Sequence, residues 1–206
     1  MIPLVKPYFP SRDILMPAIE EILYSGYVAE GKPVYDFEDK FKAYVGNENS
    51  IALHSGTDAL HLAYILAGIK PGDEIISTPM TAEPTNTSIK MVGAKVVWGD
   101  VAPDNGLLDP KSVRELVTEK TKAIVVVHYA GMVCDMDEFN KISKEYNIPI
   151  IEDAAHALGS KYNRKMIGCN ADYTIFSLQA IKHMTTVDGG FLTMKDPSQM
   201  DRARRL

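Results

Sequence analysis

Three short stretches carry residue types that can act together in chemistry. The first is His54-Ser55-Gly56-Thr57-Asp58, a small-residue turn between an apolar run and a helical pattern. A helix N-terminus of this kind offers N–H groups and the positive end of the dipole to an anion, and Ser55 and Thr57 add hydroxyl donors. The second is Glu152-Asp153, which ends a buried-strand pattern and runs into Ala154-Ala155-His156. An acidic pair there is costly unless something nearby is positive, as a cofactor nitrogen that becomes cationic would be. The third is Lys182, just past another apolar run and near Gly189-Gly190. Desolvation lowers the pKa of such a lysine and makes its amine a nucleophile. Each stretch also has an ordinary reading: a capped helix, two carboxylates at a turn, a lysine that reaches solvent.

Taken in order on one sheet, the three meet the needs of pyridoxal phosphate (PLP). The phosphate wants the helix N-terminus, the pyridinium nitrogen a carboxylate, and the aldehyde a lysine amine. The elements around them support such a sheet. Short apolar runs occur at 50–53, 74–77, 95–98, 123–127, 149–151, 173–176 and 190–194, with lengths and β-branched content expected of buried strands. Between most of them lie helical patterns at 57–67, 83–91, 110–117 and 136–146. Asp109 and Asp135 stand where N-caps belong, and Gly68 where a helix stops. The fold class is therefore α/β: a mostly parallel, seven-stranded sheet flanked by helices, whose ligands bind beyond the carboxyl ends of the strands.

The N-terminal 35 residues differ. They are rich in Pro, Gly and Tyr and read as an arm with one short helix at 13–23, followed by a second helix at 34–44 that puts Phe37 and Phe41 at i, i+4. The last ten residues read as a charged helix, and the sequence stops inside that pattern without a cap. The expectation is a fragment of a longer protein: an arm over 1–35, a large domain over 36–206, and no small C-terminal domain.

Composition narrows the function classes. Lys plus Arg is 22 and Asp plus Glu 27, a net charge of −5, which argues against nucleic acid. No 18-residue apolar run is present, so no membrane span is expected. The N-terminus lacks an apolar signal region, and Asn86-Thr87-Ser88 therefore reads as a chance sequon. Cys134 and Cys169 read as thiols in a reducing, cytoplasmic compartment. No metal-ligand spacing, P-loop or G-x-S-x-G occurs. His61 reads as a packing histidine, and His128 either faces the site or packs.

The stretches 25–38 (SGYVAEGKPVYDFE), 54–63 (HSGTDALHLA), 71–81, 126–139, 152–160 (EDAAHALGS) and 176–190 (FSLQAIKHMTTVDGG) resemble the DegT/DnrJ/EryC1/StrS sugar aminotransferase family of PLP fold type I. The order and spacing agree over nearly the whole chain. The resemblance implies that Lys182 captures the cofactor aldehyde and then shuttles protons. It implies that Asp153 pairs with the pyridinium nitrogen, that His156 lies near the phenolic oxygen, and that Gly56, Thr57 and Ser177 hold the phosphate beside Ser55. It further implies transfer of an amino group from an amino-acid donor, glutamate, to a nucleotide-linked keto-sugar in polysaccharide biosynthesis, by a homodimer. Two other readings stay open: a sugar dehydratase of the same family, in which the lysine is often histidine, and a non-catalytic fragment. The chain departs from the family pattern at His54, at Met132-Val133, and at Ala82, where relatives carry an aromatic that stacks on the ring.

Overall fold

Extended chain has a two-residue period, so a strand buried on both faces sends alternate side chains into two separate cores. A computed structural model of the chain, describing residues 7–169 and 171–206, shows that arrangement in the middle of its sheet. Residues 1–6 of the expected arm lie outside the described residues.

Two helices, α1 (Arg12–Tyr24) and α2 (Lys32–Val45), lead into β1 (Ser50–Leu53) and α3 (Gly56–Leu66). Then come β2 (Glu74–Ser77), α4 (Glu83–Met91), β3 (Lys95–Trp98), α5 (Pro110–Leu116), β4 (Thr121–Val127), α6 (Met136–Tyr146) and β5 (Ile150–Asp153). A hairpin of β6 (Lys161–Tyr162) and β7 (Lys165–Met166) precedes β8 (Tyr173–Ser177), β9 (Gly190–Met194) and α7 (Met200–Ala203).

Seven strands form one sheet in the order β1-β9-β8-β5-β4-β2-β3. From β3 to β8 every neighbouring pair is parallel, and β9 runs antiparallel to both β8 and β1. The expected mostly parallel, seven-stranded sheet is thus present. Ile75, Ala123, Val125, Ile151 and Ile175 face the core under α3 and α4. Ile76, Ile124, Val126 and Ile150 face the opposite core, with Val113 of α5 and Phe139 and Ile142 of α6.

On that second face α2 packs through its i, i+4 aromatics. Phe41 stacks on Phe191 with centroids 3.7 Å apart, and Phe37 meets the same ring edge-on at 5.3 Å. The buried Glu38 of α2 accepts from the Ala52 N–H at 2.9 Å and from Arg204 Nη2 at 2.6 Å. That joins α2, β1 and the segment after α7.

Three sequence expectations change. The charged helix expected at 197–206 is a 3₁₀ turn (Pro197–Gln199) capped by Asp196, followed by only four α-helical residues. β5 continues to Asp153, so the acidic pair lies within the strand rather than beyond it. The β6–β7 hairpin was not expected. Among the described residues, no helix is long and apolar enough to cross a membrane.

Candidate functional site

At the carboxyl end of β1 the chain turns through His54 and Ser55 directly into α3. Ser55 is extended (φ −157°, ψ 165°), and its Oγ accepts from the Asp58 N–H at 3.0 Å. The capping reading of Ser55 is therefore correct, and its hydroxyl proton remains available for a ligand. The amides of Gly56 and Thr57 have no carbonyl one turn back to bond.

This turn lies on the ends of β8 and β9. A Cβ on Gly56 would stand 2.9 Å from Ser177 Cβ. One on Gly190 would stand 2.4 Å from the Ser55 carbonyl carbon and oxygen. Only glycines allow so close an approach, and it brings Ser177 beside the helix start. An anion held there meets backbone donors and hydroxyls together, as a phosphate requires.

The acidic pair divides between two environments because adjacent strand residues face opposite sides. Glu152 turns to the second core, where its Oε2 lies 3.4 Å from His128 Nε2 and accepts from Thr174 Oγ1 at 3.2 Å. His128 is fully buried, and its Nδ1 accepts from the Cys134 N–H at 3.2 Å. It packs against Glu152, which decides between the two readings left open for it.

Asp153 turns to the α4 side. Its Oδ1 accepts from the Ala155 N–H at 3.0 Å and its Oδ2 from Thr85 Oγ1 at 2.6 Å. Thr85, on α4, belongs to the site and was missed in the sequence. The only trace of it there is a threonine pair, Thr81 and Thr85, at i, i+4 around a helix start.

Lys182 sits on a loop closed by Leu178 and Gly189, whose N–H···O=C bond is 2.8 Å. Its own N–H bonds the Gln179 carbonyl at 2.8 Å, and the His183 Nε2–H reaches the Leu158 carbonyl at 3.0 Å. Half-burial lowers the Lys182 pKa from the usual lysine value, while the Asp153 carboxylate pulls it partly back. The two groups therefore feel one another across the strand ends.

His156 is lowered too, first by burial, then by the Lys182 charge, against a smaller upward pull from Asp153. Its Nδ1 accepts from the Ala130 N–H at 3.3 Å, and Tyr129 packs edge-on at 5.7 Å. Ala130 holds a left-handed conformation (φ 53°) to present that N–H. With Nδ1 accepting and the ring neutral, the proton resides on Nε2, which makes His156 a hydrogen-bond donor. A check follows: Lys182→Met should move the His156 titration, read by NMR, upward but still below 6.5, because burial persists. An unmoved titration would mean that the two groups do not share a site.

Ser55, Gly56, Thr57, Ser177, Asp153, His156 and Lys182 thus border the same strand ends, and their donor set fits PLP: anion donors at a helix start, a buried carboxylate, a neutral imidazole donor and a half-buried amine. Ala82 is the N-cap residue of α4 and makes no capping bond. His61 lies elsewhere, lining a groove of about 1060 Å³ between α2, β1 and α3 that includes neither Asp153 nor Lys182.

Comparison with known proteins gives a consistent picture. The model of the DegT/DnrJ/EryC1/StrS aminotransferase family matches residues 12–206. A relative from Shewanella sediminis, UDP-4-amino-4-deoxy-L-arabinose–oxoglutarate aminotransferase, is 40% identical over 100% of this chain and 52% of its own length. The chain spans about half the length of the curated relatives it matches. Spr1654 from Streptococcus pneumoniae, solved in a PLP-form, superposes with a TM-score of 0.90 at 32% identity, covering 99% of this chain and 57% of that one. The same protein has been solved in a PMP-form. DesI, solved in the presence of its TDP-sugar product, superposes with a TM-score of 0.90 at 32% identity, over 97% of this chain and 51% of that one.

Proposed function

The chain belongs to the DegT/DnrJ/EryC1/StrS aminotransferase family, and from that premise we propose that it forms the PLP-binding part of an enzyme that moves an amino group from glutamate to a nucleotide-linked keto-sugar. The observation that carries this reading is the meeting of a helix-start anion turn, Ser177, Asp153, His156 and Lys182 at one set of strand ends. The domain reading goes with it: residues 1–35 as an arm and 36–206 as the large domain.

When bound, PLP supplies an electron-withdrawing ring that stabilises negative charge on the substrate carbon that loses a proton. The protein's residues do the rest. Lys182, with its pKa lowered by burial, presents its amine to hold the aldehyde, and once released it moves a proton at the substrate carbon. Asp153 pairs with the ring nitrogen and keeps it cationic. His156 donates from Nε2 to the phenolic oxygen. The Gly56 and Thr57 amides and the Ser55, Thr57 and Ser177 hydroxyls take the phosphate.

The substrate reading draws support from the UDP-sugar named for the Shewanella relative and the TDP-sugar product of DesI. The oxoglutarate in the first name supports glutamate as donor. Lys182 supports transamination over dehydration. The homodimer is supported by α1, which has no buried residue and exposes Ile14, Leu23 and Tyr24. A cytoplasmic setting accords with Cys134 and Cys169 being thiols.

The cofactor assignment has a direct test. Incubation with PLP, borohydride reduction and peptide mapping should place the label on Lys182. A label on another lysine, or none, ends the assignment.

A further inference from the structure

Asp153 is held from a direction that the family resemblance did not suggest. Thr85 Oγ1 lies 2.6 Å from Asp153 Oδ2, and Thr81 Oγ1 lies 2.7 Å from Thr85 Oγ1. A carboxylate only accepts hydrogen bonds, so the single Thr85 proton points to Asp153. The Thr85 oxygen is then left as an acceptor, and the Thr81 proton fills it. The direction of the whole chain is fixed by its end: Thr81 to Thr85 to Asp153.

The anchor of this chain is rigid. Thr85 is 1% exposed, and its carbonyl accepts from Tyr64 Oη at 3.1 Å and from Ser88 Oγ at 3.2 Å. Tyr64 belongs to α3, the helix that starts at the anion turn. One hydroxyl network therefore links α3, α4 and β5. The Ala155 N–H holds the other carboxylate oxygen at 3.0 Å. With one protein donor on each oxygen, the Asp153 carboxylate plane is oriented from both sides.

We propose that Thr85, backed by Thr81, is a positioning residue that fixes the Asp153 carboxylate for the cofactor's ring nitrogen. Thr81 directly precedes Ala82, which cannot stack on a ring, so this loop serves the cofactor through a hydroxyl rather than an aromatic face. The inference rests on the PLP reading above.

The test is PLP titration of the full chain, followed by absorbance and by equilibrium dialysis, with melting recorded for each variant without cofactor. Thr85→Val, which keeps the shape and removes the donor, should weaken PLP binding about tenfold or more, as loss of a hydrogen bond to a charged group does. Thr85→Ser should restore binding to within about threefold, and Thr81→Val should weaken it by about threefold, since it acts one bond further away. In an Asp153→Asn background, Thr85→Val should add less than about twofold, because residues that act as one unit are not additive. If Thr85→Val does not fold, Thr81→Val in the two backgrounds gives the same cycle. Losses that multiply in the double variant, or Thr85→Val binding within about twofold of the unsubstituted chain, overturn the proposal. Failure of the unsubstituted chain to bind PLP removes the cofactor reading and this proposal with it.

Discussion

Lys182→Arg is expected to abolish reductive labelling by PLP and to slow amino transfer on the order of 10⁴-fold, the upper range for a residue that moves the proton. Arginine keeps a positive charge near Asp153 and a stem of similar length. It cannot supply a free amine, because the guanidinium stays protonated at every accessible pH. The substitution therefore separates charge from nucleophilicity. Burial already lowers the Lys182 pKa, so the wild-type amine should label at lower pH than exposed lysines do. The same shift fixes a sign for stability. The folded chain releases this proton before the unfolded chain does, so this contribution to stability grows as pH rises from the lowered value toward 10.5. Turnover by Lys182→Arg within tenfold of wild type, with the melting curve unchanged, would remove Lys182 from the chemistry.

Asp153→Asn is expected to cost about 10³-fold or more in rate, equivalent to about 4 kcal/mol of transition-state stabilisation. The amide matches the carboxylate in shape but lacks the charge that keeps a ring nitrogen cationic. It also conflicts with its neighbours. Ala155 N–H and Thr85 Oγ1 each donate to one carboxylate oxygen, and an asparagine presents an NH₂ group to one of them. Steady-state rates with glutamate and a nucleotide-linked keto-sugar, alongside PLP titration, give the comparison. A rate within tenfold of wild type would place the ring-nitrogen partner elsewhere.

Much of this organisation was legible in the residues. Strands leave short apolar runs, and β1, β2, β3 and β9 match the expected runs end to end, although β3 lies at the sheet edge and is only partly buried. Asp153 and Lys182 could be picked out because each follows a run of that kind. The division of Glu152 from Asp153 was also available, since neighbouring strand residues must face opposite ways, yet reading them as a pair concealed it. The β6–β7 hairpin was hidden for a local reason. Its turn residues, Asn163 and Arg164, both have positive φ (49° and 67°), and an arginine there removes the usual Asn-Gly signal. The terminal charges gave a helical period, but Pro197 initiates a 3₁₀ turn over its first three residues. Thr85 was invisible for a topological reason. It reaches Asp153 from a helix 68 residues away in sequence, and a threonine near a helix start already has a local explanation.

The reversed strand β9 imposes an order on assembly. Among the described residues β1 lies at the sheet edge with β9 as its one neighbour, and Ser50 stands opposite Thr193, 143 residues later. Closing so long a loop is slow, because its entropy is lost before any contact repays it. During synthesis β2, β3, β4 and β5 can align as they emerge, while β1 waits for a partner made after all of them. Gly190, the first residue of β9, is also the one that passes against Ser55. The same late strand thus completes the sheet and seats the anion turn. Nascent chains that stop before Gly190 have most of a sheet but no cradle, so the proposed capacity to take up PLP arrives only once β9 has been made.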